Sequence, residues 1–189
     1  GAVAEMKHYV LPNDYPELDF SKMKIYLLEG TNRTLAGMSE KSSAQSLRYL
    51  EKLGVTVLTN TIVKDYDGDK VTLDNGNIIR TGIVIWAAGI KGNVPAGIEE
   101  SLIARGNRIK VSKTNMVPGT QNIYVLGDLA FMETDLFPGG HPQVAPVAMQ
   151  QADLLAKNLR LPPGESWKSF VYRDKGSMAT VGRNLAVVD

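Results

Sequence analysis

The sequence predicts an α/β fold in which strands alternate with helices, and three observations carry that prediction. Short uninterrupted apolar runs of strand length, KIYLLEG at 24–30, IVIWAAG at 83–89 and IYVLGD at 123–128, suit strands buried on both faces. Two amphipathic segments, 39–53 and 145–159, have the period and the end signals of helices. Each apolar run also closes on small or acidic residues, and open α/β sheets bind ligands outside the carboxyl ends of their strands.

In chain order, residues 1–10 place Ala2, Val3, Met6 and Val10 on one face of a helix that Pro12 is expected to stop. The stretch NDYPELDFSK (13–22) is a polar connector, and MKIYLLEG (23–30) is a strand closed by Glu29 and Gly30. Ser39 is the N-cap of a helix running through Leu53, with Ala44, Leu47, Leu50 and Leu53 on one face and Gly54 as its stop. VTVLTNTIVKDYD (55–67) and KVTLDNGNII (70–79) supply three short β stretches. Asn75-Gly76 marks a tight hairpin, because both central positions of such a turn favour positive φ.

IVIWAAG returns to the buried-strand pattern, and 91–119 is rich in Gly, Pro and polar residues around a strand at RIKVS, 108–112. The chain re-enters the sheet at NIYVLGD (122–128), and a Gly- and Pro-rich loop (137–142) leads to the helix from Ala145 to Leu159. Pro146 suits its first turn, and Ala148, Leu155 and Leu159 supply part of its apolar face. After a PPGE linker (162–165), the tail FVYRDKGSMATVGRNLAVVD (170–189) alternates as strands do. GAVAEMKHYV reads like the inside of a helix and the tail ends in an apolar run, so the chain is expected to be a segment of a longer protein.

Composition excludes several classes of function. Apolar content of 43% and charged content of 22% are those of a folded soluble domain. A net charge of +1 and the lack of any basic block argue against a nucleic-acid partner. The longest apolar run, GIVIWAAGI at 82–90, falls well short of the roughly 20 residues a spanning helix needs. With no cysteine there is no disulfide, thiolate metal site or redox thiol, and two histidines are poor material for a metal centre.

The strand ends hold the chemistry. An acid at the tip of a strand, as Glu29 is, can accept hydrogen bonds from both hydroxyls of a ribose while its charge repels a 2′-phosphate. That favours NAD over NADP, and Arg33 facing the ribose would weaken the preference. Ala87, Ala88 and Gly89 let backbone approach a flat ligand. Gly127 and Asp128 set a carboxylate where the strand of 122–126 should end. Each also has a plainer reading: a solvated strand end for Glu29, tight packing for Ala-Ala-Gly, a turn for Gly-Asp.

KIYLLEG, IVIWAAGI, NIYVLGDLA, HPQVAPVAMQQADLLAKNL and YRDKGSMATVGRN together resemble the two-dinucleotide-binding flavoproteins of Rossmann-like fold, and most closely the type II NADH dehydrogenases, which are NADH:quinone oxidoreductases. The likeness is collinear from Gly1 to Asp189. It implies that 1–90 is the latter part of an NADH-binding domain, 91–165 the returning half of an FAD-binding domain, and 166–189 the start of a C-terminal region. It also implies peripheral attachment to the inner, cytoplasmic face of the cell membrane through a segment beyond these residues, and a homodimer.

Carried over by position, the resemblance implies that Asp128 binds ribityl or ribose hydroxyls of FAD, with Gly127 allowing close approach. Val144, Ala145 and Pro146 open a helix whose N-terminus faces the flavin ring and stabilises negative charge there. Glu29 would hold the adenosine ribose of NADH, with Ala88 and Gly89 beside that cofactor. The family's quinone pattern is Ala-Gln and, after three further residues, another Gln. Here Gln150 fits the second position, while Pro146 replaces the first Gln and removes its amide. His141 reads as a proton relay to the quinone, or as a loop or N-cap residue.

No G-x-G-x-x-G turn occurs in the chain, so both pyrophosphate cradles are expected upstream and the segment is expected to be inactive alone. A flavin reductase of a small redox protein shares every motif except the quinone segment. A catalytically silent nucleotide-binding module is a further reading. Within these residues, the lack of cysteine speaks against the dithiol and sulfide-oxidising relatives.

Overall fold

The computed structural model describes residues 1–189, which form two compact units. The first comprises Gly1–Trp86 and Gly176–Asp189, and the second Ala87–Lys175. Residues 166–175 thus belong with the second unit, and only the end of the tail returns to the first.

In the first unit the chain opens on a continuous helical segment that is α-helical over Ala2–Glu5, π-helical over Met6–Val10 and α-helical again over Leu11–Asp14. Pro12 does not stop it. It sits in the first turn of the last piece, just after the wider π register, where a residue without an N–H interrupts no α-helical ladder.

Strand β1 (Ile25–Leu28) pairs in parallel with β2 (Val55–Leu58) through the crossover helix α1 (Glu40–Lys52). The side chain of Ser39 accepts from the Ser42 N–H at 3.2 Å, and Gly54 takes φ +78° just past the helix end, so both local signals act as the sequence predicts. Ala4, Leu50, Val55 and Val181 form the buried core, with Leu27 and Leu53 packed on it. Strand β1 is not buried on both faces: β2 is its only neighbour, and Tyr26 is 42% exposed.

The segment after β2 gives three strands where 55–79 in all was expected to give three including β2. These are β3 (Val63–Tyr66), β4 (Lys70–Leu73) and β5 (Ile78–Arg80), an antiparallel meander. At its turn only Gly76 has positive φ, at +84°, and the Gly76 N–H and the Leu73 N–H donate to Leu73 and Asn77 carbonyls. The connection is therefore the three-residue type, with glycine at the left-handed position, and not a two-residue turn.

Two further strands, β9 (Met178–Gly182) and β10 (Leu185–Val188), fall in the tail expected to be β-rich, pair as a hairpin and pack on α1. Residues 83–89 form no strand, and Ile83, Ile85 and Trp86 are 78%, 70% and 68% exposed. A strand exists only where it is paired, and neither free edge of the β1–β2 sheet is bonded to 83–89.

In the second unit, β6 (Ile103–Ala104) pairs antiparallel with β7 (Arg108–Lys110), which pairs in parallel with β8 (Ala130–Phe131). The strand expected at 122–126 reduces to one bridge, Tyr124 with Met116. Asn115, at φ +66°, fixes it by donating from Nδ2 to the Val125 carbonyl at 3.0 Å. Helix α2 (Ala145–Asn158) lays Val147 and Leu155 inward, and Val147 joins Ile109, Val117, Ala130, Met132 and Phe170 in the core. Two carboxamides on α2 bind the extended segment that follows it. Asn158 bonds both the N–H and the carbonyl of Lys168, and Gln150 does the same to Arg173. No helix is long and apolar enough to cross a membrane.

Candidate functional site

The chain between the Tyr124 bridge and β8 turns through a short 3₁₀ segment, Gly127–Leu129. Gly127 has φ +62°, and a Cβ there would lie 3.0 Å from the Ala148 Cβ of α2. Both observations require glycine: one by conformation, the other by contact. Its N–H donates to Oε1 of the buried Gln151 at 2.7 Å, and Gln143 Nε2 donates to the Asp128 carbonyl at 2.9 Å. The turn is thereby held against the start of α2, while the exposed Asp128 carboxylate accepts no hydrogen bond from the protein.

Helix α2 starts without a side-chain cap. Val144 is the N-cap residue, in extended conformation, and the first turn carries no acid. Ala145 and Pro146 follow, so the positive end of the helix dipole is left to a ligand or to water. An unbonded carboxylate able to accept from hydroxyls, a glycine approach and an uncapped helix end all lie within this one unit. That donor and acceptor set fits the polyol chain and electron-poor ring of a flavin nucleotide.

The other predicted residues are placed differently. Glu29 follows β1 in the first unit, and its N–H extends the sheet by donating to Leu58. Its Oε1 accepts from both the N–H and the hydroxyl of Thr31, each at 2.8 Å, so one carboxylate oxygen is committed within its own turn. Arg33 turns away from a role beside Glu29 and donates to the Ala36 carbonyl at 2.9 Å. Ala88 and Gly89 belong to the second unit and are exposed; Gly89 has φ +103° and nothing stands within 4 Å of a Cβ there. Gln150 has both ends of its amide bonded to the Arg173 backbone, at 3.0 Å each.

Three functional-looking groups escaped the sequence reading or changed meaning. Gln151 sits in phase with Val147 and Leu155, so a polar residue at a core position of the helix was the available signal. Arg108 is only 7% exposed; Nη2 donates to the carbonyls of Ala130 and His141, and the guanidinium lies 5.4 Å from the Phe131 ring centroid. Burial lowers its pKa, and the nearby Asp128 charge opposes that shift. His141 is neither a cap nor exposed: it is 2% exposed, Phe137 and Phe170 surround its ring at 4.5 and 5.2 Å, and neither ring nitrogen has a partner. Burial first, and the Arg108 charge second, hold its pKa below the ordinary value.

Residues 17–152 match the family model described as pyridine nucleotide-disulphide oxidoreductase. The chain belongs to this family. Among curated members, a type II NADH:quinone oxidoreductase of Mycobacterium tuberculosis is 30% identical over 200 residues, covering 99% of this chain and 42% of the relative. One from Staphylococcus aureus is 32% identical over 186 residues, covering 90% of the chain and 43% of the relative. This pyridine nucleotide-disulphide oxidoreductase chain therefore spans less than half the length of these relatives.

Its fold superposes on NDH2 from Plasmodium falciparum, solved in complex with NADH, with a TM-score of 0.81 at 19% identity, over 99% of this chain and 54% of that one. A ferredoxin reductase from Rhodopseudomonas palustris gives a TM-score of 0.65 at 19% identity, over 84% and 39%. The mixed α/β class with a β-rich end to the chain agrees with the family match and the NDH2 likeness.

Proposed function

We propose that this chain is part of an FAD-dependent NADH:quinone oxidoreductase of type II. The observation that carries the reading is the match of nearly this whole chain to part of enzymes of that name, joined to a Gly127–Asp128 turn packed against an uncapped helix. Residues 1–90 then serve as the latter part of the NADH-binding domain, 91–165 as the returning half of the FAD-binding domain and 166–189 as the start of the C-terminal region. Attachment to the inner, cytoplasmic face of a membrane and homodimer formation belong to the same reading.

The chemistry that FAD supplies when bound is two-electron transfer, in from NADH as hydride and out to a quinone, without proton pumping. The residues here bind and orient. Asp128 accepts from hydroxyls of FAD, Gly127 lets the turn that carries it approach α2 beside the cofactor, and the α2 end at Val144, Ala145 and Pro146 offsets negative charge at the ring. Glu29 uses its uncommitted carboxylate oxygen for the adenosine ribose of NADH, and Ala88 and Gly89 lie along that cofactor. Gln150 orients the quinone after releasing the Arg173 backbone, beside Pro146.

The engagement of Gln150 favours one second reading, a flavin-dependent reductase that passes electrons to a small redox protein. Three assays test the readings. Stoichiometric uptake of FAD by the purified 189-residue chain, seen as stable flavin absorbance, shows that these residues suffice for the flavin site; no uptake places part of it elsewhere. In the full-length protein, Glu29→Gln raises KM for NADH several-fold with kcat nearly unchanged, because the ribose contact is remote from the hydride. An unchanged KM removes Glu29 from the site, and turnover with a redox protein but not with a quinone overturns the first reading.

A further inference from the structure

We propose that the cleft in front of Arg108 is an anion-binding site that takes a phosphate group. It goes beyond the flavin and NADH reading and borders it, because Gln143 in the cleft wall also donates to the Asp128 carbonyl. The cleft has a volume of about 390 Å³ and is lined by Arg105, Arg108, Phe131, Gly139, Gly140 and Gln143 among others. Its decisive feature is the state of Arg108, a residue only 7% exposed whose guanidinium has no carboxylate within ion-pair distance.

Nη2 is used up on two carbonyls, and Nε is sealed from solvent without a partner. Nη1 makes no hydrogen bond, yet it is not sealed, and it lies 3.3 Å from the place a Cβ on Gly140 would take. The free donor thus faces the glycine loop of the cleft wall. A buried charge ordinarily has a paired counter-ion, and leaving one unpaired is costly; the Asp128 charge is near enough to raise the Arg108 pKa but forms no ion pair with it. Gly140, at φ +83°, also keeps the wall thin: a Cβ there would meet the Phe131 ring at 2.9 Å.

Arg105, on the turn before β7, is exposed and supplies a second positive charge to the same cleft. Two guanidinium groups on one opening suit a phosphate, which carries close to two negative charges and three acceptor oxygens at neutral pH. His141 contributes its carbonyl to holding Arg108, while its ring nitrogens are sealed and do not reach a ligand.

Titration calorimetry tests the site, with inorganic phosphate injected at constant ionic strength into the purified protein and chloride as the blank. Glycerol phosphate in a parallel titration distinguishes a phosphate ester from the free ion, the tighter of the two naming the source. The expected result is saturation at one site per chain, weakened about tenfold by Arg105→Gln with an unchanged melting temperature, and lost in Arg108→Gln. Arg105 is exposed, so its variant keeps the test valid if the buried variant fails to fold. No saturable heat with either probe, or equal binding by Arg105→Gln, overturns the proposal. So does loss of phosphate binding when FAD is added, since the cleft would then be flavin territory. A failed NADH or quinone assay leaves it standing.

Discussion

His141 holds two polar ring atoms in an aromatic cage that offers them nothing, and that makes it a pH liability. Its pKa is lowered from 6.5 by burial and by Arg108, so on acidification the unfolded chain takes up a proton near 6.5 while the native chain does not. Stability from this residue is complete above that pH and is lost as the pH falls below it. His141→Phe should flatten this part of the acid slope and leave stability near pH 7 equal or higher by up to about 1 kcal/mol, because a desolvated unpaired group is removed. Urea midpoints at pH 7.5 and 5.5 check it; equal slopes in both proteins would reject the account. Arg108 has the same origin as His141: charged or polar by type, buried by tertiary packing, and recognisable only when residues 22 and 33 positions away are seen to supply its acceptors.

At the scale of elements, the Gly127 turn depends on α2 through one buried amide. Gln151→Leu leaves the Gly127 N–H without its acceptor and should cost about 1–3 kcal/mol, with faster amide exchange at Gly127; Gln151→Glu, which keeps an acceptor oxygen, should recover part of the loss. Chemical denaturation of the pair of variants decides whether the bond or mere packing matters. Legibility in the sequence follows the range of the interaction. The Ser39 cap and the Gly54 stop bond within their own helix, so the residues alone announce them. The run at 83–89 has every local mark of a strand and still forms none, because pairing depends on a partner that no local pattern reports. Pro12 misled for a related reason: a π register before it changed what its missing N–H interrupts. The sequence singles out Gly127 and Asp128, at the end of an expected strand that reduces to one bridge, but not Gln151, 24 residues on.

At the scale of the whole molecule, the chain leaves the first unit after Trp86 and comes back to it at Gly176. The return is fastened by Asp189, whose carboxylate accepts from the Ser39 N–H and from the hydroxyls of Ser39 and Ser42 at the start of α1. Those hydrogen bonds, led by the Ser39 hydroxyl, hold its pKa below 3.8, so the fastening is present at neutral pH and lost only as the pH falls through that lowered value. Asp189→Ala should raise amide exchange at Ser39 and Ser177 several-fold at pH 7 while exchange around Gly127 stays unchanged, as hydrogen-exchange mass spectrometry can read.

The same division gives the molecule two optical reporters. Its two tryptophans fall one in each unit: Trp86, 68% exposed among Ile83 and Ile85, and Trp167, stacked on Tyr124 with ring centroids 5.5 Å apart. Fluorescence from Trp86 is that of an indole in water, and anything that covers the 83–90 stretch, chain or ligand, will shift it to the blue and shield it from iodide. Trp167 provides the internal reference, so covering of that stretch can be followed by the colour of the emission alone.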